Sequence, residues 1–413
     1  MKFRCHPFLR TAAFVLLTAF SVVSVPTESW AERGSRFTYS GQLAGLGQYG
    51  YTYFNGADRH AFRVDGRYLP QISFETSVGD HGLFDLEISG DFYGTVAWNS
   101  AGFGAGEGTA KWDIDGRIRP YRGWLRYSNE RMEVRLGLQK INFGSAQLLR
   151  PLMWFDAVDP RDPLQFTEGV WGGLFRYYFK NNSNLWLWAL TGNSKTKGWE
   201  MTANSRRFSP EFGGRYQMPI PAGEAALTVH YRQSTTVPVL DPETISTMNR
   251  ETGEFRVGLD ARVDVGVGLC IESTYQRMFR DVGLLNNQFM FSGGVDYTFG
   301  VGNGLMVDLE HLVYAYGDVD LSSVRNMTAL MSTYPVGFSD MLSFVGMYGW
   351  DDHDWHLFLG WKRDFDAWSL NLNAFWNSKL SSFAPQHQSD AFFGVGMESI
   401  GVQLIVIWNH SVE

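Results

Sequence analysis

The chain has 413 residues, with 35 Lys or Arg against 43 Asp or Glu and a formal charge of −8. Aromatic residues at 15%, 45 glycines and only 19% charged residues exclude a coiled coil or helical repeat, and a hydrophobic fraction of 44% excludes a disordered chain. No run of 18 apolar residues occurs, which excludes a bundle of membrane helices and leaves an all-β chain.

The first element lies outside the fold. Lys2, Arg4 and Arg10 precede an apolar stretch from Thr11 to Val25, and the small residues Ser29 and Ala31 follow, which is the pattern of a cleaved secretory signal peptide over residues 1–31. The remaining residues, 32–413, carry 32 basic and 42 acidic side chains, a balance that disfavours nucleic acid as a partner. Cys5 falls in the leader, so Cys270 stands alone and no internal disulfide is expected.

From residue 36 onward, segments of about ten residues alternate apolar with polar. The clearest runs from Glu254 to Val263: Phe255, Val257, Leu259, Ala261 and Val263 share one face, while Glu254, Arg256, Gly258, Asp260 and Arg262 share the other. In chain order, strands are predicted at 37–53, 61–78, 83–97, 116–128, 131–143, 169–180, 185–192, 208–218, 225–233, 253–263, 268–279, 288–299, 304–316, 326–334, 340–350, 355–363, 368–377 and 391–408. That makes about eighteen, with sixteen as the alternative count. Short turns such as Lys180-Asn181-Asn182-Ser183-Asn184 alternate with longer connections at 98–115, 144–168, 193–207, 234–252, 317–325 and 378–390.

A β-sandwich or propeller would bury the apolar face in a core, whereas a transmembrane antiparallel barrel turns it toward lipid around a polar lumen. No repeat of about 40 residues marks a propeller. The polar faces are dense in charge of both signs. Aromatics concentrate near strand ends, at Trp154, Trp171, Tyr177, Tyr178, Trp186, Trp188, Trp355, Trp361, Trp376 and Trp408, as interfacial girdles would require. These features favour the barrel.

Two segments carry a family resemblance. Ser399-Ile400-Gly401-Val402-Gln403-Leu404-Ile405-Val406-Ile407-Trp408 is similar to the last strand of Gram-negative outer-membrane barrels of the porin type, although Asn409 to Glu413 follow where a terminal aromatic is usual. Arg135-Leu136-Gly137-Leu138-Gln139-Lys140-Ile141-Asn142-Phe143-Gly144 resembles a strand of alginate-export-type and related substrate-specific porins, with Leu138 where that group commonly has Arg. The resemblance implies a barrel over residues 32–413 in the bacterial outer membrane, in contact with its lipid. It implies passive or facilitated diffusion of small polar solutes, with no cofactor and no catalytic set. Alternation begins soon after Ala31, so no plug domain is expected. A homotrimer is compatible with an exposed girdle.

Parity assigns a lumen side to each strand. On the fourth to tenth strands it carries Arg122, Arg126, Arg135, Arg176, Lys180, Arg215, Arg232, Arg256 and Arg262, with Glu133, Glu211, Glu254 and Asp260 among them. On the next three it carries Glu272, Asp296, Asp308 and Glu310. A positive wall facing a negative one would filter solutes by charge, and arginine rows would favour carboxylates and phosphates. The same residues could equally brace the wall by cross-strand pairing.

The third outer loop, 144–168, is long and apolar, and is expected to fold into the lumen with Arg150, Asp156, Asp159, Arg161 and Asp162 at a constriction; a lid or subunit contact on the rim is the alternative. Enzyme signals are slight. Asp351-Asp352-His353-Asp354-Trp355-His356 is a contiguous hairpin loop, whereas a catalytic set would draw on facing strands. Ala101 to Gly108 is glycine-rich without the strand-to-helix context of a phosphate loop. No metal motif is present. A closed structural or adhesion barrel, and a hydrolase on the rim using Asp351, Asp352 and His353, remain as other readings.

Overall fold

The computed structural model describes residues 35–54, 57–100, 111–200, 203–236, 251–280, 286–317, 324–378 and 399–412. The signal segment 1–31, the glycine-rich stretch 101–108 and most of the connections 234–252 and 378–390 lie outside the described residues.

The first strands are β1 (Ser35–Phe54), β2 (Ala57–Val78), β3 (Gly82–Asn99), β4 (Lys111–Ser128), β5 (Met132–Gln139), β6 (Val170–Tyr178) and β7 (Asn184–Leu190). Next come β8 (Ala203–Ser205), β9 (Glu211–Ile220), β10 (Gly223–Thr236), β11 (Glu251–Asp264), β12 (Gly268–Met278) and β13 (Asn287–Phe299). The last are β14 (Leu305–Tyr316), β15 (Arg325–Pro335), β16 (Asp340–Gly349), β17 (Asp354–Asp364), β18 (Trp368–Asn377) and β19 (Ser399–Val412). Each pairs antiparallel with its neighbours, and β1 pairs with β19 to close the sheet. The short β8 pairs with Ser234–Thr236 of β10, while β9 pairs with Gly223–Tyr231 of the same strand. These two segments share one place in the wall, so nineteen segments make an eighteen-stranded barrel. No helix occurs among the described residues.

Alternation sorts side chains as the sequence suggests. On β11, Phe255 and Leu259 are exposed on the outside, while Glu254, Arg256 and Asp260 are buried inside. Ile114, Ile118, Leu136, Leu227, Ile400 and Leu404 continue the outer apolar surface around the barrel. Such a band costs nothing in hydrocarbon and would be a large liability in water. Closure pairs Tyr39 with Val412 and Thr52 with Ser399, so residues 409–412, past Trp408, extend the seam instead of trailing from it.

Two local departures from strict alternation matter. Ser89 pairs with Arg122 but Gly90 pairs with Pro120, so Tyr121 is an extra residue in β4. A bulge of this kind puts consecutive residues on one face and reverses parity beyond it. Trp112, Ile114 and Ile118 therefore face outward on one side of Tyr121 and Leu125 on the other. On β7 both faces are apolar. Leu187 is exposed outside, while Trp188 and Leu190 are buried inside. Trp154, Trp186 and Trp188, expected in the girdles, belong to an interior cluster.

The apolar core is inside the lumen, where the third outer loop meets the wall. Ile141, Phe143, Leu152, Trp154 and Phe155 pack with Val170, Leu174, Trp188 and Leu190. Leu148, Leu149 and Met153 pack on Met290, Leu312, Tyr314, Met327 and Ala329. Each fully buried side chain of this size contributes roughly 1.5–3 kcal/mol. The loop is thus as much core as connection.

Candidate functional site

The third outer loop crosses the lumen, held by carboxylates that rise from the opposite wall. Glu272 of β12 accepts hydrogen bonds from the Ala146 amide (2.7 Å) and the Leu152 amide (3.0 Å). Glu310 of β14 accepts from the amides of Gln147 (2.6 Å), Leu148 (3.1 Å) and Leu149 (2.6 Å). Both acids are fully buried. The loop leaves β5 through Gly144, whose φ of 109° belongs to glycine and whose missing Cβ leaves room for the Glu272 carboxylate. Gly258 on the lumen face of β11 leaves room for Leu152 and Trp154 in the same way. The acid row of β12–β14 is therefore largely committed: Glu272 and Glu310 to the loop, Asp296 to Arg262 (2.8 Å), with Asp308 buried beside them.

The loop's own charges are spent on its shape. Arg150 pairs with Asp156 at 3.0 Å and Arg161 with Asp159 at 2.8 Å. Asp162 accepts from the amides of Leu164 (2.9 Å) and Phe166 (3.1 Å). Burial pushes its carboxyl up to about 6 despite those two donors. Residues 195–200 of the next outer loop fold onto the third. The Trp199 indole donates to the Arg150 carbonyl (2.8 Å), and the Lys197 ammonium donates to the Gly169 carbonyl (3.2 Å). Burial pulls Lys197 down to about 8, against the attraction of Glu200.

Beneath this cover, on β9–β11, arginines and acids pair nearly one to one. Arg215 grips Asp260 in a fork (2.5 and 2.9 Å). Arg232 grips Glu254 in another (2.9 Å on each arm), and Arg256 bonds both Glu254 and Glu200 at 2.5 Å. The side chains of Arg215, Arg232 and Arg256 are each only 4% exposed. Glu211 pairs with His230 at 3.2 Å in the same buried layer.

The wall from β2 to β6 is built differently. Arg67, Arg117 and Arg119 converge on the buried carboxylate of Asp91 at 3.1, 3.9 and 2.9 Å, and Arg119 also pairs with Glu168, which Lys195 meets at 2.9 Å. Arg67 lies over the Phe166 ring (3.9 Å) and Arg117 over Tyr93 (4.5 Å). Toward the turn side, Arg135 and Arg176 meet Glu133 at 3.0 and 3.6 Å, while Arg126 pairs with Asp85 at 2.8 Å and reaches Glu133 only at 3.9 Å. Arg135 lies over Trp124 (4.7 Å) and Arg176 over Trp186 (3.8 Å). Arg117, Arg119, Arg126, Arg135 and Arg176 keep between 15% and 28% of their side chains exposed. Between the two groups, Arg122 lies over Tyr121 and donates to the Tyr121 and Thr167 carbonyls.

Arg63, Arg67, Arg117 and Arg119 were not among the lumen arginines expected from parity. The bulge at Tyr121 explains β4: odd positions face inward before it and even positions after it, so one parity rule finds only Arg122 and Arg126. On β2 the inward row of Arg63, Asp65 and Arg67 follows ordinary alternation and was legible.

On the rim, Asp351 accepts from the Asn326 amide (2.7 Å), Arg325 pairs with Asp352 (3.4 Å), and His353 meets Tyr348 (3.0 Å). No group of three potential metal ligands occurs among the described residues.

No protein-family model matches the sequence, and no curated protein matches it. Among solved structures, Pseudomonas aeruginosa OccK7 (OpdD) aligns with a TM-score of 0.54 at 9% identity, over 92% of this chain and 99% of that one. Pseudomonas aeruginosa OccK9 (OpdG) aligns with a TM-score of 0.52 at 9% identity, over 91% and 98%. The fold is that of an outer-membrane porin. An anion-selective porin from Comamonas acidovorans aligns with a TM-score of 0.48 at 15% identity, over 91% of this chain and 100% of that one. Strand pairing puts the short turns and the outer ends of β1 and β19 at one end of the barrel and the long loops at the other, so the docked loop enters the lumen from the long-loop end.

Proposed function

We propose that this porin-fold barrel sits in the bacterial outer membrane and passes small polar solutes by diffusion, with a preference for anions, through a lumen narrowed by residues 144–168. The observation that carries this reading is the wall from β2 to β6. Six arginines there, Arg67, Arg117, Arg119, Arg126, Arg135 and Arg176, share four paired carboxylates, Asp91, Glu168, Glu133 and Asp85. All of them except the buried Arg67 stay partly exposed, where a passing carboxylate or phosphate can meet the planar fork. Charges on β9–β11 brace the wall and hold the loops. No covalent step is needed, and the rim residues Asp351, Asp352 and His353 are engaged in ordinary turn and cross-strand contacts, which disfavours a hydrolase.

The test is single-channel recording of the refolded protein in a planar bilayer under a salt gradient. Steady conductance with an anion-leaning reversal potential is expected, and charge reversal at Arg119 and Arg126 should move that potential toward cations. A folded, heat-modifiable barrel without conductance would favour a closed structural barrel instead.

A further inference from the structure

We infer that Met331 and Met347 are a reversible oxidation site, and that conversion of their thioethers to sulfoxides by hydrogen peroxide entering the lumen releases the docked third loop. The release is a property of the loop itself; that it widens the channel rests on the reading above that residues 144–168 narrow the lumen.

Five of the fourteen methionines gather where this loop meets the wall. Met153 of the loop, Met290 of β13 and Met327 of β15 are buried, none more than 4% exposed. Met331 of β15 and Met347 of β16 differ from them in two ways. They share the inward face with the buried Ala329 and Val345 but are themselves only half-buried, so peroxide in the lumen meets them first. They also pack against both apolar clusters that hold the loop. One takes Leu148, Leu149 and Met153; the other, around Val345, Phe358, Phe375 and Ile405, takes Leu164. The loop is held at two places, and the same two thioethers touch both.

Methionine suits such a junction because its unbranched, polarizable side chain fills irregular gaps. Its sulfur is also the weak point. The sulfur lone pair attacks one oxygen of the peroxide: an S–O bond forms, the O–O bond breaks, and the second oxygen leaves as water once the proton of the transferred oxygen has moved to it. Sulfur gives up two electrons and the peroxide takes them. A polar, hydrogen-bond-accepting group replaces an apolar one.

That group has no donor where it stands. Met331 lies opposite Val345 and Asp308, and Met347 opposite Ala329 and His356. Val345 and Ala329 have no side-chain donor. His356 uses its two ring nitrogens on Asn377 (2.9 Å) and Asp354 (3.1 Å), and the oxygens of Asp308 compete with a sulfoxide for the same donors. Ala329 is fully buried between Met347 and Glu310, so there is no slack beside the loop's main anchor. A sulfoxide must turn toward lumen water, and in turning it withdraws the contact that both clusters share. Met290, by contrast, already accepts from the Gln288 side-chain amide (3.4 Å) and is sealed.

The experiment treats the refolded full-length protein and the variant Met331→Leu/Met347→Leu with hydrogen peroxide. Leucine nearly keeps the volume and cannot be oxidised. Peptide mass spectrometry should find sulfoxide at Met331 and Met347 before Met153, Met290 and Met327. Tryptic cleavage within residues 144–168 should then quicken about tenfold or more, the effect of a polar oxygen left in an apolar contact. Single-channel conductance should rise with it, and methionine sulfoxide reductase with a thiol reductant should restore both. The variant should match the untreated parent before and after peroxide. Oxidation of both sulfurs with loop cleavage unchanged would overturn the proposal. An equal response in the variant, or earlier oxidation of the three buried methionines, would overturn it too. Faster loop cleavage with unchanged conductance would uphold the release and overturn instead the reading that the loop narrows the lumen.

Discussion

The lumen wall uses the same residue types in two ways. On β9–β11, Arg215 and Arg232 grip acids in forked pairs and Arg256 bridges Glu254 and Glu200, all roofed by two outer loops and almost sealed from water. On β2–β6, six arginines share four acids, and all but Arg67 remain partly open. The difference is one of stoichiometry and cover. A buried arginine in a closed ion-pair network has little left to offer a solute, whereas one at the water's edge can still be met by one. Counting inward arginines overstates what a solute could reach, because those on β9–β11 are covered.

The comparison can be broken in several ways, from the largest expected effect to the smallest. Replacing Glu272 and Glu310 together by Ala removes five amide bonds to carboxylates, each contributing roughly 1.5–3 kcal/mol. The third loop should undock, seen as higher and noisier single-channel conductance and faster tryptic cleavage near Arg150. If conductance stays at the parental level, the loop is not what narrows the lumen. Next, Glu254→Ala leaves Arg232 and Arg256 buried with only Glu200, and should cost about 3–5 kcal/mol in urea unfolding of the detergent-folded barrel. Glu133→Ala, on the open side, should cost only about 1 kcal/mol while making the reversal potential more anion-selective. Opposite results for this pair would erase the distinction between the two walls.

Asp162 gives a pH prediction for the strap that joins them. Its carboxyl is raised from 3.8 to about 6 by burial, so the docked loop holds this proton more tightly than the unfolded chain does. Stability from this group is full below pH 3.8 and is lost as pH rises through about 6, a change of about 3 kcal/mol. Urea midpoints measured between pH 4 and 7 should fall accordingly, and Asp162→Asn should flatten that part of the slope. The smallest effect is Arg176→Ala, which should change stability by under about 1 kcal/mol yet shift the reversal potential toward cations. A large loss of stability without a change in selectivity would place Arg176 with the braces.

The barrel itself was legible because period two is strong where one face meets lipid and the other meets charge, as on β11. Eighteen strands, the antiparallel order and the third loop as the distinctive insertion followed from that pattern. Three things did not follow. The Tyr121 bulge reverses parity in mid-strand with no compositional mark, which hid Arg117 and Arg119. On β7 both faces are apolar, so Trp186 and Trp188 looked like girdle residues although they face the core. The partners of Glu272 and Glu310 are backbone amides, which have no residue identity to read, so two apparently lumen-lining acids turned out to be anchors.

Closing the sheet between β1 and β19 also sets an order of events. Hairpins such as β2–β3 join near neighbours, but Tyr39 meets Val412 only when the whole chain is available. The anchors of the third loop are late arrivals too, since Gln147 bonds Glu310, 163 positions further on. Contacts that distant form slowly, after local ones have reduced the search. The docked loop is therefore among the last parts to be installed: an assembling barrel passes through a stage with its wall largely drawn and its lumen not yet furnished.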